Sequence, residues 1–303
     1  MTSADAVDTA GRQPPARAGA GTGTGAGTGG TASGAFSVLL PVYWGDRPDQ
    51  VEAAFRSVTA AQELAPAQVV VVRDGPVGPA LADWLGATAR RPEVTLVTLA
   101  AGRGLGGALN AGLDACRFDV VARQDADDVS APARFRLMTP LVESGQFDLV
   151  GSAMREFTAD AGGVSPGRVR RYPLTEAEIR RVAKLMNPFA HPTVVMRRSR
   201  VLAAGGYRDF HHLEDYDLWV RLLAGGAKVA NLPQPLVDYR VSDGGWRRRG
   251  GAKTLRAEFA LQRAFREAGF VTRGQRLRNL ALRGGLELAP PAALRAALSQ
   301  VWR

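Results

Sequence analysis

Two continuous apolar runs constrain this chain most. Phe36-Ser37-Val38-Leu39-Leu40-Pro41-Val42 and Val69-Val70-Val71-Val72 lack the apolar–polar alternation of a strand wetted on one face. Such runs fit strands covered on both faces, as in parallel sheets. Helical patterns lie between them. Asp49 reads as an N-cap, followed by Val51, Ala54, Phe55 and Val58 at i, i+3, i+4, i+7. Further strands are expected over residues 94–99, 118–122, 147–150 and 191–196. Helices are expected over 105–115, 131–142, 175–186 and 214–224, the last stopped by Gly225-Gly226. Alternating strands and helices predict an α/β fold, a mostly parallel sheet with helices on both faces.

The 303 residues, 46% hydrophobic and 22% charged, suffice for one large α/β domain and an appendage. Residues 1–34 are mostly Gly, Ala and Thr, and ordering them would cost about 1–2 kcal/mol per residue. A disordered tail is expected there, since no strand precedes and no Lys follows the glycines as a phosphate loop requires. Residues 35–245 are read as the α/β domain and 246–303 as a basic helical extension. The extension holds 13 Lys/Arg against 3 Asp/Glu, so it carries the whole net charge of +10. Leu255, Phe259, Leu261 and Phe265 mix there with Lys253, Arg256, Arg263 and Arg266. An anionic partner is expected, a membrane surface rather than nucleic acid, because few aromatics interleave with the charge. No apolar run reaches the roughly 18–20 residues of a membrane span. The N-terminus lacks a secretion signal, and Cys116 is the only cysteine. A cytoplasmic location is expected, at most peripheral at the inner membrane face.

Asp125-Ala126-Asp127-Asp128 follows the apolar Val120-Val121-Ala122. Three carboxylates within four residues repel one another unless a cation sits among them. Mg²⁺ or Mn²⁺ suits carboxylate oxygen, and at a strand end the cluster can hold the metal against a diphosphate. Ligands of open α/β sheets bind beyond the carboxyl ends of the strands. The first strand ends at Pro41-Val42-Tyr43 and the second at Arg73-Asp74-Gly75. Parallel neighbours would gather these ends with Asp125. Tyr43 can pack on a base, and Asp74 can accept a hydrogen bond from a base or ribose. A second acidic group, Glu214-Asp215-Tyr216-Asp217-Leu218-Trp219, opens a helix, where the dipole favours carboxylates. Asp215 and Asp217, at i and i+2, cannot share one face, so one is expected at the cleft. Leu218 and Leu222 are expected to anchor the helix.

Taken in order, Asp74, Gly104-Leu105-Gly106-Gly107-Ala108-Leu109-Asn110, the 125–128 cluster and the 214–219 group resemble family 2 glycosyltransferases, nucleotide-sugar enzymes of the GT-A fold, over about residues 36–241. Asn187-Pro188, His191-Pro192-Thr193 and Gly205-Gly206-Tyr207 are similar to a bacterial subgroup that builds exopolysaccharides and other surface glycans. The resemblance implies that Asp74 binds the nucleoside and that Asp125 meets ribose or metal. It implies Asp127 as the main ligand of Mn²⁺ or Mg²⁺ and Asp215 as the catalytic base. Pro41 and Tyr43 are expected in the nucleotide-sugar site. The family often has Asn where this chain has Gly102-Arg103, so Arg103 is expected at the diphosphate. Glu214, Trp219 and His191 are expected on the acceptor side. The implied donor is a nucleotide-sugar, a UDP-sugar first, and the implied acceptor a glycan or polyprenyl-linked sugar.

A carboxylate can take the proton of an attacking sugar hydroxyl, and a divalent cation can offset the charge of the leaving diphosphate. One carboxylate group for each role suffices for single displacement, which inverts the anomeric centre. Two rival readings remain. Gly102-Arg103-Gly104-Leu105-Gly106-Gly107 fits the dinucleotide fingerprint of an NAD(P)-dependent oxidoreductase. It falls in the third strand–helix unit, however, and leaves the 214–217 acids without a role. The other rival is a non-enzymatic membrane or nucleic-acid adaptor built on the basic C-terminus.

Overall fold

In the computed structural model, strands β1 (Ser37–Tyr43), β2 (Gln68–Asp74), β3 (Val94–Leu99) and β4 (Val120–Arg123) are parallel neighbours in the order β3-β2-β1-β4. The structure describes residues 34–160, 163–241 and 252–287. The glycine-rich segment 1–33 and the 245/246 boundary lie outside the described residues. Strand β1 shows why its sequence is apolar throughout. Leu39 packs with Leu109 and Leu113 of α3 (Gly104–Ala115). Val38, Leu40 and Val42 point the other way, to Val51 and Phe55 of α1 (Pro48–Val58) and Leu81 and Leu85 of α2 (Pro79–Thr88). The valines of β2 divide the same way. Each fully buried Val or Leu contributes about 1.5–3 kcal/mol, so both faces must be covered. A Cβ at Gly112 would run into Leu39 and reach 2.7 Å from Val72. Glycine therefore lets α3 lie directly on the sheet.

Beyond β4 the sheet becomes mixed. β8 (Val195–Arg197) is antiparallel to β4, and β6 (Leu149–Asp160) is antiparallel to β8. β9 (Val229–Arg240) runs parallel to β6, while β5 (Val129–Ser130) is antiparallel to β9 and β7 (Gly163–Arg170) to β6. Several boundaries differ from those read in the sequence. Arg47, not Asp49, caps α1, because Pro48 takes the first helical position, where a missing N–H costs nothing. Helix α4 (Arg134–Glu143) starts after residue 131, because the Ala131 N–H is taken by the Leu236 carbonyl at 2.9 Å. His191–Thr193 is a 3-10 turn rather than strand. β9 escaped detection because Pro233 and Pro235 interrupt it, with register shifts against β6.

Helix α5 (Glu176–Val182) starts in a capping box of Thr175 and Glu178. α6 (Arg198–Ala203) and α7 (Glu214–Ala224) follow, then α8 (Ala252–Glu267) and α9 (Arg273–Glu287). Leu261, Phe265 and Val271 are buried in the same core as α7, and the Phe265 ring meets Tyr216 edge-on at 5.0 Å.

Candidate active site

Parallel register sets Tyr43 beside Asp74 at the carboxyl ends of β1 and β2. β4 stops earlier, with Arg123 opposite Leu39. Gln124 adds one bond to the Leu39 carbonyl at 2.9 Å, and the chain then turns away. Pro41 falls on the edge that β4 has left, so its missing N–H costs no ladder bond. Pro41 is buried opposite Val72 and is sheet, not a ligand contact, which corrects its expected role. Strand order reverses between β1 and β4, and such switch points are where α/β sheets bind ligands.

One buried side chain holds the acidic turn. Gln124 donates to the carbonyls of Asp125 (3.0 Å) and Asp128 (2.8 Å) and accepts from Ser130 Oγ (2.7 Å) and Arg134 Nη1 (2.9 Å). Arg134, also fully buried, donates to the carbonyls of Arg123 (2.7 Å) and Pro192 (2.9 Å), tying this turn to the one at His191. Burial, then the neighbouring Arg123, lowers the Arg134 pKa to about 9.

The three carboxylates fall into three situations. Asp125 pairs with Nη2 of Arg123, a guanidinium 1% exposed. Burial opposes that charge, and Asp125 overcomes it, so the Arg123 pKa is raised. Asp127 is partly buried. Burial, then Asp125, raises its pKa to about 6, against Arg240 and Arg123. Asp128 is fully buried; its Oδ1 accepts the Arg240 N–H at 2.8 Å and its Oδ2 has no hydrogen-bond partner. Burial, then Asp125 and Asp127, pushes its pKa well above the carboxylate range. Asp128 thus fastens the turn to β9.

A fourth carboxylate joins them that the sequence reading missed. Asp46 accepts the Tyr43 N–H at 2.8 Å, and its pKa rises to about 7, chiefly through burial, with Asp127 and Asp125 adding to it. Its only signal was its place just after the first strand. Among the described residues no group of three or more His, Cys, Asp or Glu is spaced to hold a metal ion. The donor set still has the right chemistry. Asp46 and Asp127 both lie in the field of Asp125, a repulsion that a hard divalent cation would relieve. Mg²⁺ in particular takes one or two carboxylates plus substrate phosphates rather than a complete protein cage.

At the β2 end, Asp74 accepts the Arg103 N–H at 2.6 Å, which draws the loop after β3 onto this rim and leaves the Arg103 side chain exposed. Tyr43 and Trp44 are 46% and 76% exposed, with rings edge-on at 6.1 Å.

Helix α7 brings the second acidic group. A Cβ at Gly106 would lie 3.5 Å from Tyr207 and 3.7 Å from Glu214. The glycine-rich first turn of α3 therefore packs against the approach to α7. It also follows edge strand β3, away from the switch point, which removes the dinucleotide reading. Asn110 clamps the Tyr207 backbone with two bonds of 2.8 Å. The Tyr207 hydroxyl lies 3.1 Å from Nε2 of His191, whose pKa burial and then Arg123 lower far enough to keep it neutral. Asp215 accepts from Asn187 Nδ2 (2.6 Å) and the Tyr216 N–H (2.7 Å). Glu214 beside it is pushed up to about 7 by burial, then by Asp215 and, more weakly, Asp125. Asp217, 1% exposed, turns inward onto Arg221, with bonds of 2.8 and 2.7 Å. Trp219 is fully buried, edge-on to Phe189 and His191 at 5.8 Å each. It belongs to the core, because its indole fills the layer beneath the 191 turn, and it cannot meet an acceptor.

A surface cavity of about 440 Å³ lined by Arg171, Tyr172, Glu178, Arg181 and Met186 includes none of these carboxylates. Its single acid gives it no chemistry of this kind.

Residues 37–206 match the family described as Glycosyl transferase family 2. The chain is 37% identical over 240 residues to the amylovoran biosynthesis glycosyltransferase AmsE of Erwinia amylovora, covering 78% of this chain and 88% of that one. It is 32% identical over 256 residues to the UDP-Gal:alpha-D-GlcNAc-diphosphoundecaprenol beta-1,3-galactosyltransferase of Escherichia coli, covering 84% and 92%. In fold it resembles a mannosyltransferase of Pyrobaculum calidifontis solved with GDP-Man and Mn²⁺, with TM-score 0.56, 16% identity and coverage of 88% and 79%. With the match spanning the strand-end rim and relatives aligned along most of their length, this chain belongs to glycosyl transferase family 2.

Proposed function

We propose that this glycosyltransferase moves a sugar, with inversion, from a nucleotide-diphosphate donor, a UDP-sugar first, to a hydroxyl of a glycan or polyprenyl-linked acceptor. One observation carries the reading most. Arg134 ties the β4 turn to the His191 turn, and His191 lies 3.1 Å from the Tyr207 hydroxyl on the approach to α7, so two acidic groups far apart in sequence are drawn to one site, where Asp215 and, more weakly, Asp125 raise the Glu214 pKa. Tyr43 and Asp74 hold the nucleoside, and Arg103 meets the diphosphate. Asp127, with Asp125 or Asp46, holds Mn²⁺ or Mg²⁺, which supplies charge to the leaving diphosphate when bound. Asp215 accepts two N–H bonds at a helix N-terminus and is free of metal duty; it takes the acceptor proton. Glu214 and His191 line the acceptor side. Residues 35–245 form the catalytic unit, and 246–303 an extension toward an anionic membrane surface. Among the described residues no helix is long and apolar enough to cross a membrane. The name of the galactosyltransferase relative supports both a UDP-sugar and a lipid-linked acceptor, and with such an acceptor the enzyme would work in the cytoplasm, at most peripheral at the inner membrane face.

A nucleotide-sugar hydrolysis screen with purified protein and Mn²⁺ tests the reading. Hydrolysis of one UDP-sugar, dependent on metal and on Asp127, is expected. Metal-independent turnover of any donor would end the metal assignment.

A further inference from the structure

The inward faces of α8 and α9 are spoken for. Leu261 and Phe265 enter the core, and Asn279 Nδ2 donates to the Lys184 carbonyl at 2.6 Å. The outward side is unusual for a helix pair in water. Phe259, Leu277 and Leu282 are 48%, 68% and 49% exposed, set among Arg256, Arg263, Arg273 and Arg278. Near the junction of the two helices, Arg266, Glu267, Arg273, Arg276 and Leu277 line a surface cavity of about 420 Å³. Three guanidinium groups share it with one carboxylate, and Glu267 is already paired with Arg263 at 2.8 Å. Nε of Arg276 is buried there with no hydrogen-bond partner. Three such cations around one cavity favour an anion rich in oxygen acceptors, and guanidinium forks suit phosphate. Leu277 selects among phosphates. A soluble anion gains nothing from a leucine standing in water at the rim, whereas a bilayer buries it.

We infer that the α8–α9 face docks on an anionic phospholipid bilayer, with headgroup phosphates seated among Arg266, Arg273 and Arg276 and Leu277 entering the acyl boundary. Basic side chains and apolar wedges on one helical face are what interfacial binding requires. The surface is separate from the strand-end rim. It deepens the membrane contact proposed above by naming its residues, and its failure would leave sugar transfer standing.

Flotation of the full chain with vesicles tests it, alongside donor hydrolysis in solution. Binding to phosphatidylcholine vesicles containing phosphatidylglycerol is expected, falling with added salt, and no binding to phosphatidylcholine alone. Each arginine near an anionic surface is worth about a factor of five, so R266Q/R273Q/R276Q together should weaken partition on the order of 100-fold. Leu277→Ser should weaken it less, and Arg273→Glu alone more than any single Gln. All these variants should hydrolyse donor in solution like the parent, which also shows that they fold. Undiminished flotation of the triple variant, or equal binding to both vesicle types, would overturn the inference. So would displacement from vesicles by inorganic phosphate at constant ionic strength, which would mark a soluble-phosphate site instead.

Discussion

The two acidic stretches, 125–128 and 214–217, are built on one plan and finished differently. Each exposes some carboxylates to the site and turns one inward. The inward Asp217 meets a guanidinium: Arg221 gives it two bonds and continues to the Gly206 carbonyl at 2.7 Å, fastening α7 to the segment that carries Tyr207. The inward Asp128 accepts the backbone N–H of Arg240 in place of a guanidinium, and its Oδ2, like Oδ1 of Asp217, has no hydrogen-bond partner. An ion pair anchors one stretch, while the other is anchored by a carboxyl whose pKa burial has driven up. A group charged on folding must be paired, and a group left unpaired must take a proton. The α7 stretch is therefore fastened from within by a guanidinium, whereas the β4 turn gathers Asp127 and Asp128 beside Asp125, a repulsion that a cation would relieve.

The largest expected effects fall on α7. Asp215→Asn keeps the side chain's size and one of its two acceptors but removes the proposed base; kcat should fall about 10²–10⁴-fold while UDP binding by calorimetry is unchanged. Near-parental turnover would transfer the role elsewhere, Glu214 being the next candidate. Asp217→Ala removes one partner of a buried pair and strands Arg221, which should cost about 3–5 kcal/mol of stability in urea unfolding. A loss below about 1 kcal/mol would show that Arg221 finds enough bonds at Ala204 and Gly206, and the contrast between the stretches would dissolve.

The β4 rim should respond to pH and metal instead. Burial raises the carboxyls of Asp46 and Asp127 to about 7 and about 6, above the ordinary aspartate value of 3.8. The fold therefore binds more protons than the unfolded chain between about pH 4 and 7, and metal-free stability should fall as pH rises through that window. The shifts correspond to at most about 4 kcal/mol for Asp46 and about 3 kcal/mol for Asp127, less where solvent screens them. Glu214, raised to about 7, adds to the same slope. Mn²⁺ should reverse the loss, raising Tm more at pH 8 than at pH 5. Asp127→Asn should flatten the slope and blunt the Mn²⁺ effect. A Tm that rises with pH in chelator would mean that the rim carries no excess charge.

How much of this the sequence disclosed depended on the kind of force involved. Continuous apolar runs at 36–42 and 69–72 announced the parallel half, because a strand covered on both faces has no polar residue to hide. The end of β4 and both acidic stretches were legible for a similar reason, since clustered like charges are rare without purpose. β9 was not, because Pro233 and Pro235 erase its period and its pairing with β6 and the two-residue β5 holds it in the sheet. The internal counter-charge was invisible as well. Arg123, Gln124 and Arg134 look like ordinary surface residues in a polar stretch, yet all three are buried beneath the aspartates. Nothing local tells a solvated Arg from one enclosed by the turn of its own chain. Asp46 was hidden likewise, since its place at the switch point exists only once β1 and β4 are paired. Trp219 erred in the opposite direction: an aromatic beside acids invites a sugar, but its position on α7 points it into the core.

The smallest expected effect is also the most specific to the difference between the two stretches. Asp128→Asn replaces a carboxyl whose pKa burial, then Asp125 and Asp127, raises well above its ordinary value. The amide oxygen can still accept the Arg240 N–H, and the amide nitrogen replaces an oxygen that had no partner. Stability at pH 7 should therefore change by less than about 1 kcal/mol, as expected when bonding is conserved and no buried charge is stranded. The same substitution at Asp217 should cost several times more, since it halves a true ion pair. Urea midpoints of the two Asn variants measured side by side give the comparison directly. If Asp128→Asn proved as damaging as Asp217→Asn, Asp128 would have to be ionised in the fold, held so by Arg123 from below. The rim would then carry one more full negative charge, and a divalent cation would bind it more tightly than the proton-bearing arrangement allows.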